Sequence, residues 1–291
     1  KKIITLFLFI VGGTTLMAQS LKSPDNNIVL NFKLDGGGSP VYNLDYKGKA
    51  VVTESKMGFR LNPTVSLSDN FEVVNSSFDT YNETWTPVWG QYKTIRDHHN
   101  EMLVCLRQKL TGRLLNIRFR LFNDGLGFRY EFPVQDNLRH FIIKEELTEF
   151  RLTGDDKAFW IPADYDTNEF PVTTSRLSEI SGLIDHVRKE PLAAKAPAAN
   201  LAVQTPLMLK TPEGLYVNIH EAALVNFPAM ALNVDDRTFC LSAHLTPDKN
   251  GNKGYIQTRS VTPWRTIVVS DDARNILASN LILNLNDPCV I

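Results

Sequence analysis

Apolar and polar residues alternate with period two along most of this sequence, and a chain patterned that way forms half-buried strands, not helices. Ile28, Leu30, Phe32 and Leu34 alternate with Val29, Asn31, Lys33 and Asp35 before Gly36-Gly37-Gly38 ends the run. Tyr42, Leu44 and Tyr46 lead into Lys47-Gly48, a hairpin signal. The clearest case sets Leu115, Ile117, Phe119 and Leu121 against Asn116, Arg118, Arg120 and Phe122. Asn123-Asp124-Gly125 then turns the chain, and Phe128, Tyr130 and Phe132 answer with Arg129 and Glu131 between them. This predicts a hairpin with one aromatic face and one charged face.

The pattern recurs at Leu215, Val217 and Ile219 and over residues 266–269, with a turn at Pro247-Asp248-Lys249-Asn250-Gly251. Short helices are expected only over residues 175–183 and 270–277, and the Ala- and Pro-rich residues 188–204 read as a surface excursion. Many short strands between turn signals predict an all-β fold, one large two-sheet sandwich with few short helices. A net charge of -1 with no long basic run excludes nucleic acid as a partner.

Lys1 and Lys2, the apolar residues 3–11 and the small residues up to Ala18 read as a cleavable signal peptide over 1–18. The mature domain then spans 19–291 and is expected to be periplasmic or secreted. No cysteine lies near the cleavage point, so no lipid membrane anchor is expected. Cys105, Cys240 and Cys289 allow at most one disulfide, and none has zinc-site spacing. Cys105 reads as a buried, inert thiol.

Three sets of side chains carry possible chemistry. The first is the acidic run Asp164-Tyr165-Asp166-Thr167-Asn168-Glu169, whose hard oxygens suit Ca²⁺. An EF-hand is excluded: its sixth position is Glu169 where Gly is required, and its twelfth is Ser175. The second set is Trp85, Trp89, Trp160 and Trp264, readable as packing or as flat platforms for sugar rings. The third is His98, His99, Glu101 and the pair His220-Glu221. Adjacent strand residues face opposite ways, so these pairs read as structural.

Several strings in fixed order resemble glycoside hydrolase family 97, in its N-terminal domain. They are Glu83-Thr84-Trp85-Thr86-Pro87-Val88-Trp89-Gly90, Ile95-Arg96-Asp97-His98-His99-Asn100-Glu101 and Phe128-Arg129-Tyr130-Glu131-Phe132-Pro133. Trp160-Ile161-Pro162-Ala163-Asp164, Ile219-His220-Glu221-Ala222-Ala223-Leu224 and Thr262-Pro263-Trp264-Arg265-Thr266 follow.

The resemblance covers the mature chain and implies a galactose-mutarotase-like β-super-sandwich ahead of a catalytic (β/α)₈ barrel. The family's acid and base carboxylates belong to that barrel, so this segment alone is expected to be inactive. The resemblance also implies that Glu169 lends one ligand to a catalytic Ca²⁺ shared with the barrel. The expected partners are that barrel and an α-linked oligosaccharide. The Asp-Tyr-Asp-Thr-Asn-Glu string favours the family's α-glucosidases over its α-galactosidases. Two other readings stay open. One is a free-standing carbohydrate-binding module using Trp85, Trp89 or Trp160. The other is mutarotase-like chemistry dependent on His98, His99 or His220.

Overall fold

The hairpin expected around Asn123-Asp124-Gly125 forms from Leu114–Phe122 and Gly125–Phe132, with Leu121 opposite Leu126 and Asn116 opposite Glu131. These strands belong to a computed structural model that describes residues 18–192 and 194–288 of the protein. The expected signal peptide, apart from Ala18, and Cys289 lie outside the described residues.

The hairpin sits inside a ten-stranded antiparallel sheet. On one side of it come Trp264–Ser270, Tyr216–Ala222, Leu207–Lys210, Lys157–Trp160 and Thr173–Arg176, in that order. On the other side come Ile95–Gln108 and the edge strand Phe71–Trp85, while the short Ser260–Val261 pairs with Gly125–Phe132. Alternation gives the sheet two unlike faces. Leu115, Ile117, Phe119, Phe128 and Tyr130 are fully buried on one, and Arg118, Arg120, Arg129 and Glu131 occupy the other.

Three smaller sheets together cover the apolar face. The first holds Gln19–Lys22, Ile28–Leu34, Pro40–Tyr46 and Lys49–Lys56; the second holds Phe59–Asn62, His140–Glu146 and Gly254–Gln257. The third holds Glu149–Arg151, Cys240–Leu245, Met230–Asp235 and Ala202–Val203. Each reaches the large sheet through an aromatic ring. Phe32 meets Phe119 at 5.7 Å, Phe59 meets Tyr130 at 4.6 Å and Phe150 meets Phe128 at 6.3 Å between centroids. The sandwich is therefore as expected, but its second layer is three sheets and not one. Twist accumulates across ten strands, and a single flat partner cannot follow it.

The turn at Lys47-Gly48 has φ of 49° and 77°, the double left-handed geometry of a tight hairpin, which Gly adopts without steric cost. Helix α1 (Ile180–Val187) starts later than the sequence suggests, because Thr173–Arg176 is claimed as a strand by Lys157–Trp160. Helix α2 (Ala273–Ala278) is capped by the Asp272 carboxylate, which accepts the Arg274 N–H at 2.9 Å. A further helix, α3 (Leu281–Leu285), was not expected. It lies on the outer face of the large sheet, where Leu281 and Leu285 join Phe122, Ala222, Trp264 and Val268 in a small second core.

Candidate functional sites: an acidic loop and an aromatic groove

Asp164 shapes the acidic loop. Its carboxylate, 5% exposed, accepts the N–H groups of Asp166 at 2.9 Å and Thr167 at 3.2 Å, and both its oxygens take that of Ala196 at 3.0 Å. Occupied by backbone donors in this way, it serves as a turn former and is not free to ligate. The Tyr165 N–H donates to the Ala196 carbonyl at 2.9 Å, so the loop is stitched to the excursion at 188–204. That excursion runs over the surface but buries Ala198 and Ala202 beside Ala163.

Glu169 is exposed, and only its backbone is tied, with the N–H donating to Thr167 Oγ1 at 3.1 Å. Its carboxylate has no hydrogen bond or ion pair among the described residues. A free carboxylate on a pinned turn fits one ligand of a hard cation. It is not a complete site: among the described residues no group of three His, Cys, Asp or Glu side chains could hold a metal ion.

On the outer face, the loop over residues 86–92 and α3 flank a groove of about 840 Å³. Trp85 Nε1 donates to Asn284 Oδ1 at 2.8 Å, and Asn284 Nδ2 donates to the Arg96 carbonyl at 3.0 Å, fixing α3 to the base of the loop. Trp264 is 1% exposed, with the guanidinium carbons of Arg120 and Arg129 at 4.9 and 4.6 Å from its ring. Glu101 accepts from Arg118 and Arg120, and Glu131 from Arg118 and Arg129. Burial works against the charge on Glu131, but Arg118 and Arg129 outweigh it and hold the carboxyl below its usual range.

The four tryptophans therefore divide. Trp89 is 81% exposed and Trp85 half-buried, both at the groove, whereas Trp160 is 2% exposed and donates to Ser175 Oγ at 3.0 Å. Trp160 is a core residue and offers no platform.

The histidines do not converge. His99 is 1% exposed, with Nδ1 2.5 Å from Asp97 Oδ1 and its ring stacked on Tyr81 at 4.8 Å. His98 faces the other side of the strand, and Glu101 is taken by arginines. Glu221 points into the sandwich, where its carboxylate accepts from Arg265 Nη1 at 2.6 Å and the Met230 N–H at 3.0 Å. His220 points outward, and burial lowers its pKa. Cys105 departs from expectation in place though not in chemistry: it lies half-buried on the charged face. Burial and then Glu131 push its thiol up, so it stays protonated. Cys240 is buried, pushed to about 11 mainly by burial, and neither thiol is in a disulfide among the described residues.

One partner of the acidic loop escaped the sequence reading. Tyr165 Oη lies 2.7 Å from His244 Nε2, with the rings stacked at 22°. The only signal was a histidine in an otherwise small and apolar strand, Cys240–Leu245.

Residues 21–288 match the family described as glycosyl-hydrolase 97 N-terminal. A retaining alpha-galactosidase of Bacteroides thetaiotaomicron is 22% identical, the match covering 99% of this chain and 44% of that protein. Among solved structures, a glycoside hydrolase family 97 enzyme of Pseudoalteromonas sp. strain K8 has been seen in complex with panose and with acarbose. It superposes with a TM-score of 0.83 at 33% identity, over 94% of this chain and 38% of that one. A beta-arabinopyranosidase shares the fold, with a TM-score of 0.72 at 19% identity. The chain spans less than half the length of these relatives.

Proposed function

The chain belongs to glycoside hydrolase family 97, as its N-terminal domain, and we propose that it is the non-catalytic part of an exported calcium-dependent α-glycosidase. In this reading the sandwich packs on the catalytic barrel, walls one side of the sugar pocket and lends Glu169 as a calcium ligand. The bound ion would polarise the site and orient sugar and water. The chain's own task is to hold one carboxylate at a fixed place. The observation that carries the reading is the free Glu169 carboxylate at the end of a turn fastened by Asp164. Panose is built of α-linked glucose, and its complex with the 33%-identical relative supports α-glucosides over α-galactosides as substrates.

Calcium titration of the chain extended through the following catalytic part tests this. Glu169→Gln should weaken calcium by at least tenfold (about 1.4 kcal/mol or more) and lower activity on an α-glucoside in step. Unchanged calcium affinity would remove Glu169 from the site.

The groove supports a second reading, sugar binding by the domain itself, because Trp89 is open to solvent beside Trp85. Quenching of tryptophan emission by maltotriose, absent in Trp89→Ala, would favour it. No response to millimolar sugar would end it.

A further inference from the structure

We infer that Tyr165 and His244 form a latch that sets the position of Glu169. The inference rests on the calcium reading of Glu169 for its purpose, though not for its geometry. The acidic loop has two kinds of fastening. Through Asp164 and the Tyr165 N–H it is tied to the excursion at Ala196 and, by the Asp164 N–H to Gln204 Oε1 at 3.4 Å, at Gln204, both outside the excursion's short strand Ala202–Val203. Through the Tyr165 hydroxyl it is tied to His244, which stands on a strand paired on both sides, in register with Ala231 of Met230–Asp235. Among the described residues this is the one hydrogen bond from residues 164–169 to that strand.

Loop-to-loop bonds leave two segments free to move together, whereas a bond to a central strand gives the turn a fixed reference. Glu169 lies four residues beyond Tyr165 and directly before Phe170, which is 4% exposed. Its carboxylate therefore hangs between an aromatic latch and a buried aromatic anchor. The latch has the chemistry it requires. His244 is 6% exposed, and burial, with Lys253 adding to it, draws its pKa down to about 4. At neutral pH the imidazole is therefore uncharged, and one hydrogen bond joins Nε2 and the phenol, its donor set by the tautomer. Tyr165 acts here as a positioning residue, through the turn that carries Glu169 and not as a ligand.

The test uses the chain joined to its catalytic part and reads calcium affinity together with amide hydrogen exchange at residues 166–169. Tyr165→Phe removes one hydroxyl from a side chain that is 37% exposed, so folding is not at stake. It should speed exchange across the turn and weaken calcium by about three- to tenfold, the scale of one lost hydrogen bond. His244→Ala should do the same, with no further loss when the two are combined. His244→Gln, whose amide oxygen can stand near the Nε2 position, should restore most of the affinity. Normal exchange and normal calcium binding in Tyr165→Phe, with calcium weakened in Glu169→Gln, would overturn the latch and leave the calcium reading intact. Unchanged calcium affinity in Glu169→Gln would overturn the calcium reading and with it the latch's role at the metal. Exchange would then still show whether the latch holds the loop.

Discussion

Arg265 and Glu146 meet as a bidentate pair with neither side chain exposed, Nε to Oε1 at 2.9 Å and Nη2 to Oε2 at 2.6 Å. Nη1 turns to Glu221, so one guanidinium serves two carboxylates from two sheets. Thr148 Oγ1 donates to Glu146, Tyr130 Oη in turn donates to Thr148 Oγ1 at 2.6 Å, and the Gly58 N–H donates to Tyr130. The network fastens the second small sheet to the large one where aromatic contacts alone would let it slide. Arg265→Met strips the charge partner from two buried carboxylates, and should cost about 3–5 kcal/mol in urea unfolding. Replacing all three charged residues by apolar ones of similar volume should recover most of that loss. A single-variant cost below about 1 kcal/mol, the scale of an exposed pair, would contradict the burial of the network.

Asp156 makes a different pH prediction. It is 1% exposed, its Oδ1 finds no partner among the described residues, and burial, followed by Glu213 and Asp155, raises it to about 7. A carboxyl raised in the folded state keeps its proton longer there than in the unfolded chain. Its contribution is thus most favourable below the unfolded pKa near 4 and is lost as pH climbs towards 7. Asp156→Asn cannot ionise, so its stability relative to the wild type should grow between pH 4 and 7 and level off above. The full span is roughly 4 kcal/mol. Parallel unfolding curves for the two proteins across that range would refute the shift.

Trp160 and Trp89 should differ sharply in the cost of truncation. Trp160→Ala empties a core site and breaks the bond to Ser175, for a cost of about 3–5 kcal/mol. Trp89→Ala should stay within roughly 0.5 kcal/mol of the wild type, because its ring is 81% exposed. Thermal melts of the two variants compare them directly, and a large loss in Trp89→Ala would show that its ring is packed.

The contrast shows what the sequence could reveal. Alternation exposes which side of a strand is apolar, so Ile117 and Phe119 were legible as core and Arg118 and Arg120 as an outer charged face. Adjacency likewise foretold that His98 and His99, or His220 and Glu221, would part. Trp160 and Trp89 both stand near proline, and only tertiary packing separates them. Alternation points to one sheet in the second layer, where there are three, because local pattern carries no information on how twist divides a layer. His244 carries no local mark of its role, because its partner, Tyr165, is 79 residues away. Asp164 and Glu169 occupy one acidic string that residue types alone do not divide; the resemblance singles out Glu169, and the hydrogen bonds to Asp164 mark it as the turn former.

Helix α3 yields the last prediction, since its seat is made of absent side chains. A Cβ at Gly127 would stand 2.5 Å from Leu285 Cδ1, the end of a side chain that can turn away if α3 shifts. A Cβ at Gly125 would stand 2.3 Å from the carbonyl oxygen of Ile267, on the neighbouring strand, as well as 2.9 Å from Leu281 Cδ1. A strand carbonyl cannot yield without opening the sheet. Gly127→Ala should therefore cost about 1–3 kcal/mol, as overpacking does, and Gly125→Ala more. Because Asn284 of α3 accepts from Trp85 Nε1, displacement of the helix should also shift tryptophan emission to the red in Gly127→Ala. Equal losses from the two variants would mean that the Ile267 carbonyl is not the limiting contact, and unchanged emission would mean that α3 keeps its place by other means.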